Sequence, residues 1–518
     1  MLQFEAYCNG KAASEVDLDG AYVFGQDDIP IRADLAASGN MITCSKRVPG
    51  ASGLALMWKA EPAGQYLLQT TRLPDRDRPY HLNIELARAQ LMRLIQKRED
   101  WGLFDYAEAK PLNVELEAVC RQFIEALKLG DPAQAAIVAD QALAASLTLG
   151  EKLALFHADA FISRRKAAAP AAMRIGFGCL ADLATVAEGY QEAMRESFDF
   201  VSVPVPWKHL EPKEGQHHFA EIDTWLNWAA RSRKLVHMGP LLSFEPAQLP
   251  DWLYIWEHDY EALRDLIYEH VQRIVKRYER HVRVWNVVSG LHAHNNFNLS
   301  FEQIMELTRM CCLLVKKLSP KAQVMIELTT PWGEYYARNQ RTIPPLLYAD
   351  MAVQSGIKFD AFGLQLLLGV PADGYFLRDL MQISSLLDEF VSLSKGLHIT
   401  ACQVPSEATP DPADAWSGQL SPARAGFWHA PWSQRLQAEW LQAFYRIAMS
   451  KPFVETLCWR DLADEASHCI PHGGLCTTVK EPKLSYKELR NFRASLLTGT
   501  VAATDVQRRG ANSHPANR

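Results

Sequence analysis

FDFVSVPVPWKHLEPKEGQHHFAEIDTWLNWAARSRKLVHMGPLL, residues 198–242, carries the organisation of most of the chain in one unit. Two apolar runs, FDFVSVPV (198–205) and KLVHMGPLL (234–242), flank a segment with helical spacing. Short apolar runs bounded by turn residues read as strands buried on both faces, and parallel strands of that kind need helical crossovers. The unit recurs. Strand-like runs also stand at IGFG (175–178), VRVWNVV (282–288), QVMIEL (323–328), FDAFGLQLLL (359–368), HITACQV (398–404) and FVETLCW (453–459). Between them the period is helical; in YEALRDLIYEHVQRIVKRY, Leu263, Leu266, Ile267, Val271, Ile274, Val275 and Tyr278 fall on one stripe. Eight β-then-α units over roughly 325 residues predict an α/β fold of the (β/α)8 TIM-barrel type. A doubly wound open sheet is the weaker alternative, because no Gly-rich phosphate loop comes after the first strand.

Outside the repeat the pattern changes. Residues 1–80 hold short β-type runs (AYVFG, GLALMWKA, GQYLLQTT) broken by Gly, Asp, Asn and Pro, and predict a small antiparallel β domain. Residues 81–170 turn helical, with Leu86, Leu91, Leu94 and Ile95 on one stripe, and predict a helical connector. The small, charged and Pro-containing stretch 163–173 marks the boundary to a barrel at 171–497, which is expected to fold as a unit of its own. The polar, aperiodic residues 498–518 predict a disordered tail. The 518 residues are 48% apolar and 22% charged, so there is ample material for a core. A net charge of −6 without long like-charge blocks excludes the electrostatic footprint of a nucleic-acid binder. No run of apolar residues is long enough to span a membrane, the N-terminus lacks a secretion signal, and ten thinly spread Cys suit reduced thiols, so a cytoplasmic protein is expected.

Seven segments in register resemble glycoside hydrolase family 10, the retaining xylanase barrels. Trp207, Glu211, Pro212, Gly215, Phe219 and Asp223 fit that family's second strand and helix; LPDWL (249–253) fits the loop after strand three. YERHVRVWNVVSG resembles the segment ending W-D-V-V-N-E, FDAFGLQLLL resembles D-x-I-G-x-Q-x-H, and HITACQV resembles I-T-E-L-D-V. CWRDL, GGLC and EPKLSYKEL resemble the eighth strand and the PK-x-x-Y-x-x-L ending after it. The resemblance implies two carboxylates about 5–5.5 Å apart, an acid/base ending strand four and a nucleophile ending strand seven. Those positions hold Gly290 and Ala401, which can neither donate a proton nor attack an anomeric carbon. The sugar-gripping Asn, Lys and His positions are replaced as well, while Gln365 and Trp459 match. The expected reading is a non-hydrolytic, carbohydrate-associated protein without a cofactor, whose ligand is an oligosaccharide or glycoside and whose role is carbohydrate or partner binding.

The candidate ligand-binding residues are Trp459, Gln365 and Trp207. An indole face at a strand end suits sugar stacking, although core packing explains it equally well. Glu327 ends strand five, and Glu245, Glu407 and Asp461 come after strands three, seven and eight, on the face where such barrels keep their sites. The first three are the substitute carboxylates of an alternative in which hydrolysis continues with relocated groups; a purely structural scaffold is the third reading. His468, Cys469, His472 and Cys476 have zinc-ligand types but no standard spacing, so no metal site is expected. His292 and His294 flank the vacant acid position, and Cys311 and Cys312 read as buried packing.

Overall fold

The computed structural model describes residues 1–168, 175–184, 188–465 and 468–497. All eight predicted runs form strands: Gly176–Leu180, Phe200–Val203, Leu235–Met238, Val284–Ser289, Gln323–Leu328, Ala361–Leu367, Gly396–Gln403 and Val454–Trp459, numbered one to eight in that order. Every neighbouring pair is parallel, and strand one pairs with both strand two and strand eight. That last pairing closes the sheet and excludes the open alternative. Register breaks between Asn286 and Val288, between Leu364 and Gln365, and between Ile399 and Cys402 re-aim side chains near the C-terminal ends of strands four, six and seven.

The crossover helices form where the stripes predict them. In Tyr260–Tyr278, Leu263, Ile267, Val271, Ile274, Val275 and Tyr278 are buried, and the Asp259 side chain accepts from the Ala262 backbone N–H at the N-terminus. Phe301–Leu318 starts with a reciprocal cap between Ser300 and Gln303 and buries Cys311 and Cys312.

Residues 1–81 are β-rich and build two larger sheets besides a two-stranded ribbon of Tyr7–Cys8 and Lys11–Ala12. One orders Tyr80–His81, Leu2–Glu5, Met41–Lys46 and Ala33–Ser38, in which Leu2–Glu5 and Tyr80–His81 run parallel, so the unit is not wholly antiparallel. The other orders Phe427–Trp428, Gly64–Gln69, Gly53–Ala60, Tyr22–Phe24 and Pro30–Ile31. Its outermost strand comes from the loop after barrel strand seven.

Three helices come next, Leu82–Asp100, Lys110–Lys128 and Pro132–Ala168, and the last packs on Leu380–Glu389 and Gln434–Ser450, the helices after strands six and seven. Lys97 and Lys451 share the Asp388 carboxylate at 3.1 and 2.6 Å, and Arg165 donates to the Met449 carbonyl at 2.7 Å. One hydrophobic core runs from Leu2 and Leu86 through Leu143 to Trp440 without a break. The segment read as a connector is therefore packed along the barrel wall. The proposed boundary at 163–173 begins inside the Pro132–Ala168 helix; residues 169–174 and the tail 498–518 lie outside the described residues.

A buried ion pair fixes two mouth loops against the N-terminal sheet. Arg378, in the loop after strand six, donates to Glu334 of the loop after strand five at 2.6 Å, and the two side chains are 0% and 2% exposed. The guanidinium also donates to the Tyr22 hydroxyl at 3.3 Å and lies 5.0 Å from the Trp332 ring centre.

Candidate ligand cavity at the barrel mouth

Strand alternation decides which side chains reach the barrel interior. On strand eight and just beyond it, Thr456, Cys458 and Arg460 line an internal cavity. Trp459 has the opposite parity. It has no exposed surface, and its indole N–H donates to the Gly473 carbonyl at 3.1 Å. Trp207 is also sealed, stacked 3.9 Å from His270 and donating to Glu211 at 2.9 Å. Neither tryptophan belongs to the cavity wall, so neither presents a stacking face there. Replacing Trp459 with Ala is accordingly expected to cost about 3–5 kcal/mol of stability, as for other buried large-to-small changes. Urea denaturation checks this, and a variant as stable as the parent would contradict the packing assignment.

Gln365, Ala401, Glu327 and Glu245 do line the cavity, together with Ser289 and Arg460. Gln365 and Ala401 face each other across strands six and seven, and Gln365 Nε2 donates to Glu327 Oε2 at 3.0 Å. Glu327 is 2% exposed, whereas Glu245 stands exposed at the rim. Glu407 is exposed on the loop after strand seven, outside the wall. Gly290 leaves strand four with φ +61°, its N–H donating to the Glu327 carbonyl at 3.2 Å; a Cβ there would lie 2.8 Å from Thr329 Oγ1. That conformation and that approach both favour glycine.

Burial sets the state of the histidines. His294 lines the cavity, and burial lowers its pKa while Glu245 opposes the shift. His292 is outside the wall, stacked on Tyr348 and bonded to the Thr329 carbonyl at 3.1 Å, and burial pushes it down to about 3. Deeper in the barrel His237 stacks 4.0 Å from Phe200 and is held neutral by burial, with His398 and Arg283 adding to the effect. His468 and His472 both turn to Asp411, at 2.7 and 3.3 Å. Among the described residues no group of three or more His, Cys, Asp or Glu is arranged to hold a metal ion.

The cavity measures about 120 Å³. Drug-sized ligands occupy roughly 300–1,000 Å³, so this space suits one ring or less. Four buried polar atoms of its wall have no hydrogen-bond partner: Asn286 Oδ1, Thr329 Oγ1, Thr330 Oγ1 and Arg460 Nε. The nearest carboxylate to Arg460 is Asp461, 3.7 Å away, and burial raises the Asp461 pKa against the pull of that guanidinium. The arrangement can hold a small polar molecule by mixed donors and acceptors. Sequence reasoning singled out Trp459 and passed over Arg460, although the i, i+2 parity from Cys458 was readable.

Known xylanases resemble parts of this chain. The endo-1,4-beta-xylanase B of Thermotoga neapolitana is 26% identical over 105 residues, 20% of this chain and 30% of that one. The endo-1,4-beta-xylanase 3 of Hypocrea jecorina is 31% identical over 85 residues, 16% and 24% respectively. The chain thus spans less than a third of the length of these curated relatives. Among solved structures, native xylanase 10B from Thermotoga maritima aligns with a TM-score of 0.47 at 16% identity, covering 64% of this chain and 97% of that one. A GH10 endoxylanase from a sugarcane soil metagenome gives 0.48 at 14%, covering 62% and 96%. The model of the family described as Glycosyl hydrolase family 10 matches residues 165–469, more than half of the 518. With that match spanning strands one to eight, the chain belongs to glycosyl hydrolase family 10.

Proposed function

We propose that this barrel is a non-hydrolytic member of its family that binds a small polar, carbohydrate-like ligand in the mouth cavity and acts in the cytoplasm. The observation that carries the reading is the chemistry at the two strand ends: Gly290 after strand four and Ala401 on strand seven, where the family resemblance puts the acid/base and the nucleophile. The small, enclosed volume supports a single-unit ligand over a polymer. Purified full-length protein is expected to leave aryl xylosides and xylo-oligosaccharides intact at the level of a heat-killed control.

A second reading has support from one observation: Glu245 and Glu327 line the same cavity, as a relocated pair would. Turnover abolished by Glu327→Gln or Glu245→Gln would establish that reading and overturn ours. Installing Gly290→Glu with Ala401→Glu is expected to leave the protein inactive. The side chain at 290 starts from a left-handed backbone against Thr329, and a misplaced catalytic group loses most of its effective concentration.

A further inference from the structure

We propose that the ligand of the mouth cavity is a small hydroxylated carboxylate, anchored by its carboxylate on Arg460. This rests on the binding role proposed for the cavity and adds the class of ligand. Arg460 comes two residues after Cys458, with the same inward parity, and lines the cavity. A guanidinium has five N–H donors and no acceptor. Among the described residues the buried Nε–H of Arg460 has no hydrogen-bond partner, and its 3.7 Å approach to Asp461 is an ion pair beyond hydrogen-bonding range. A buried polar wall atom left without a partner calls for a ligand or water to complete it. A carboxylate matches the planar fork of Arg in a two-point contact that a neutral hydroxyl cannot make.

The rest of the wall sets the remainder of the ligand. Thr329 and Thr330 offer hydroxyls that donate or accept, and Asn286 offers an acceptor, the complement of hydroxyl groups. Two wall carboxylates oppose a second negative charge, Glu327, which is already engaged by Gln365, and Glu245, which is exposed to water at the rim. The anionic end must therefore sit on Arg460 itself, with hydroxyls directed at Glu327, Gln365 and the threonines. The volume limits the molecule to one ring or a short chain. A sugar acid and a short hydroxy acid share this chemistry, and the test separates them.

Isothermal titration of the full chain with D-glucuronate, its methyl ester, D-glucose and D-glycerate reads the proposal. Glucuronate or glycerate is expected to bind about tenfold or more tighter than the two neutral sugars, the range for hydrogen bonds to a charged group. Arg460→Gln is expected to erase that preference, and Arg460→Lys to retain part of it. Glucuronate stronger than glycerate identifies a sugar acid, and the reverse a short hydroxy acid. Equal affinity for glucuronate and its ester together with glycerate no tighter than D-glucose, a preference that survives Arg460→Gln, or no saturable binding of either acid overturns the assignment. The ester comparison on unaltered protein decides the matter if Arg460→Gln does not fold. Hydrolysis of aryl glycosides would sink the non-hydrolytic reading alone, since the preference for acid over ester is measured independently of turnover.

Discussion

Acidification from pH 7 to 4.5 is expected to remove about 6 kcal/mol of folding stability through four buried groups alone, on the scale of the whole 5–15 kcal/mol of a typical fold. Three buried histidines drive it. His157 stacks 4.3 Å from Trp101, His270 stacks on Trp207 and His292 on Tyr348. Burial pushes each to about 3, helped at His157 by the Lys451 and Lys97 ammonium groups and at His270 by Arg273. Between about 6.5 and 3 the unfolded chain binds a proton at each of these positions and the folded chain does not, so stability falls as pH falls through that window. At pH 4.5 each site is two units below the unfolded pKa, about 2.7 kcal/mol, hence about 8 for three. Asp140 works the other way. Burial raises it to about 6 against hydrogen bonds from Asn83 and Trp58, so it gains a proton in the folded state first and returns about 2 kcal/mol. Thermal unfolding followed by circular dichroism at pH 7, 6, 5 and 4.5 measures the slope. His270→Phe and His157→Phe should each flatten it; a slope indifferent to both changes would remove the histidines as its cause.

Glu334→Gln is expected to cost about 3–5 kcal/mol, because it leaves the Arg378 charge buried without its counter-ion. Arg378 is fully enclosed and has no route to water, so the protein must either carry the penalty or open the contact with Tyr22 and Trp332. The double change Glu334→Leu with Arg378→Met should recover most of the loss, since a buried pair replaced by apolar groups is often neutral or better. Urea midpoints for Glu334→Leu, Arg378→Met and the double variant give the coupling. A Glu334→Gln loss below about 1 kcal/mol, the range of exposed pairs, would mean that the site is wet.

The barrel was legible because each unit repeats two unlike periods, and those periods come directly from which faces are buried. Gln365, Glu327 and Glu245 reached the cavity because position at a strand end is set by the same count. Trp459 lies off the cavity wall for a reason the count also contains: it alternates with Cys458 and Arg460, which line the cavity, and similarity of sequence does not override the pleat. The docking of the N-terminal sheet was invisible. Its links, Gly64 with Trp428 and Tyr22 with Arg378, join residues far apart in sequence and leave no periodic trace. Arg378 in a loop reads as a solvated charge until the fold encloses it.

The strand Phe427–Trp428, which forms the outer edge of the N-terminal sheet, gives the protein a peculiar infancy on the ribosome. Synthesis proceeds from the N-terminus at about 5–20 residues per second, so Gly64–Gln69 emerges on the order of tens of seconds before its neighbour is made. Throughout that interval the main-chain groups of Gly64 and Gln65 lack their partners, as does the Leu67 amide that later donates to the Leu377 carbonyl. An open edge beside apolar strands is a template for pairing with any other extended chain. A chain that ends before residue 427 is expected to keep that edge open, with the main-chain groups of Gly64 and Gln65 free to pair elsewhere.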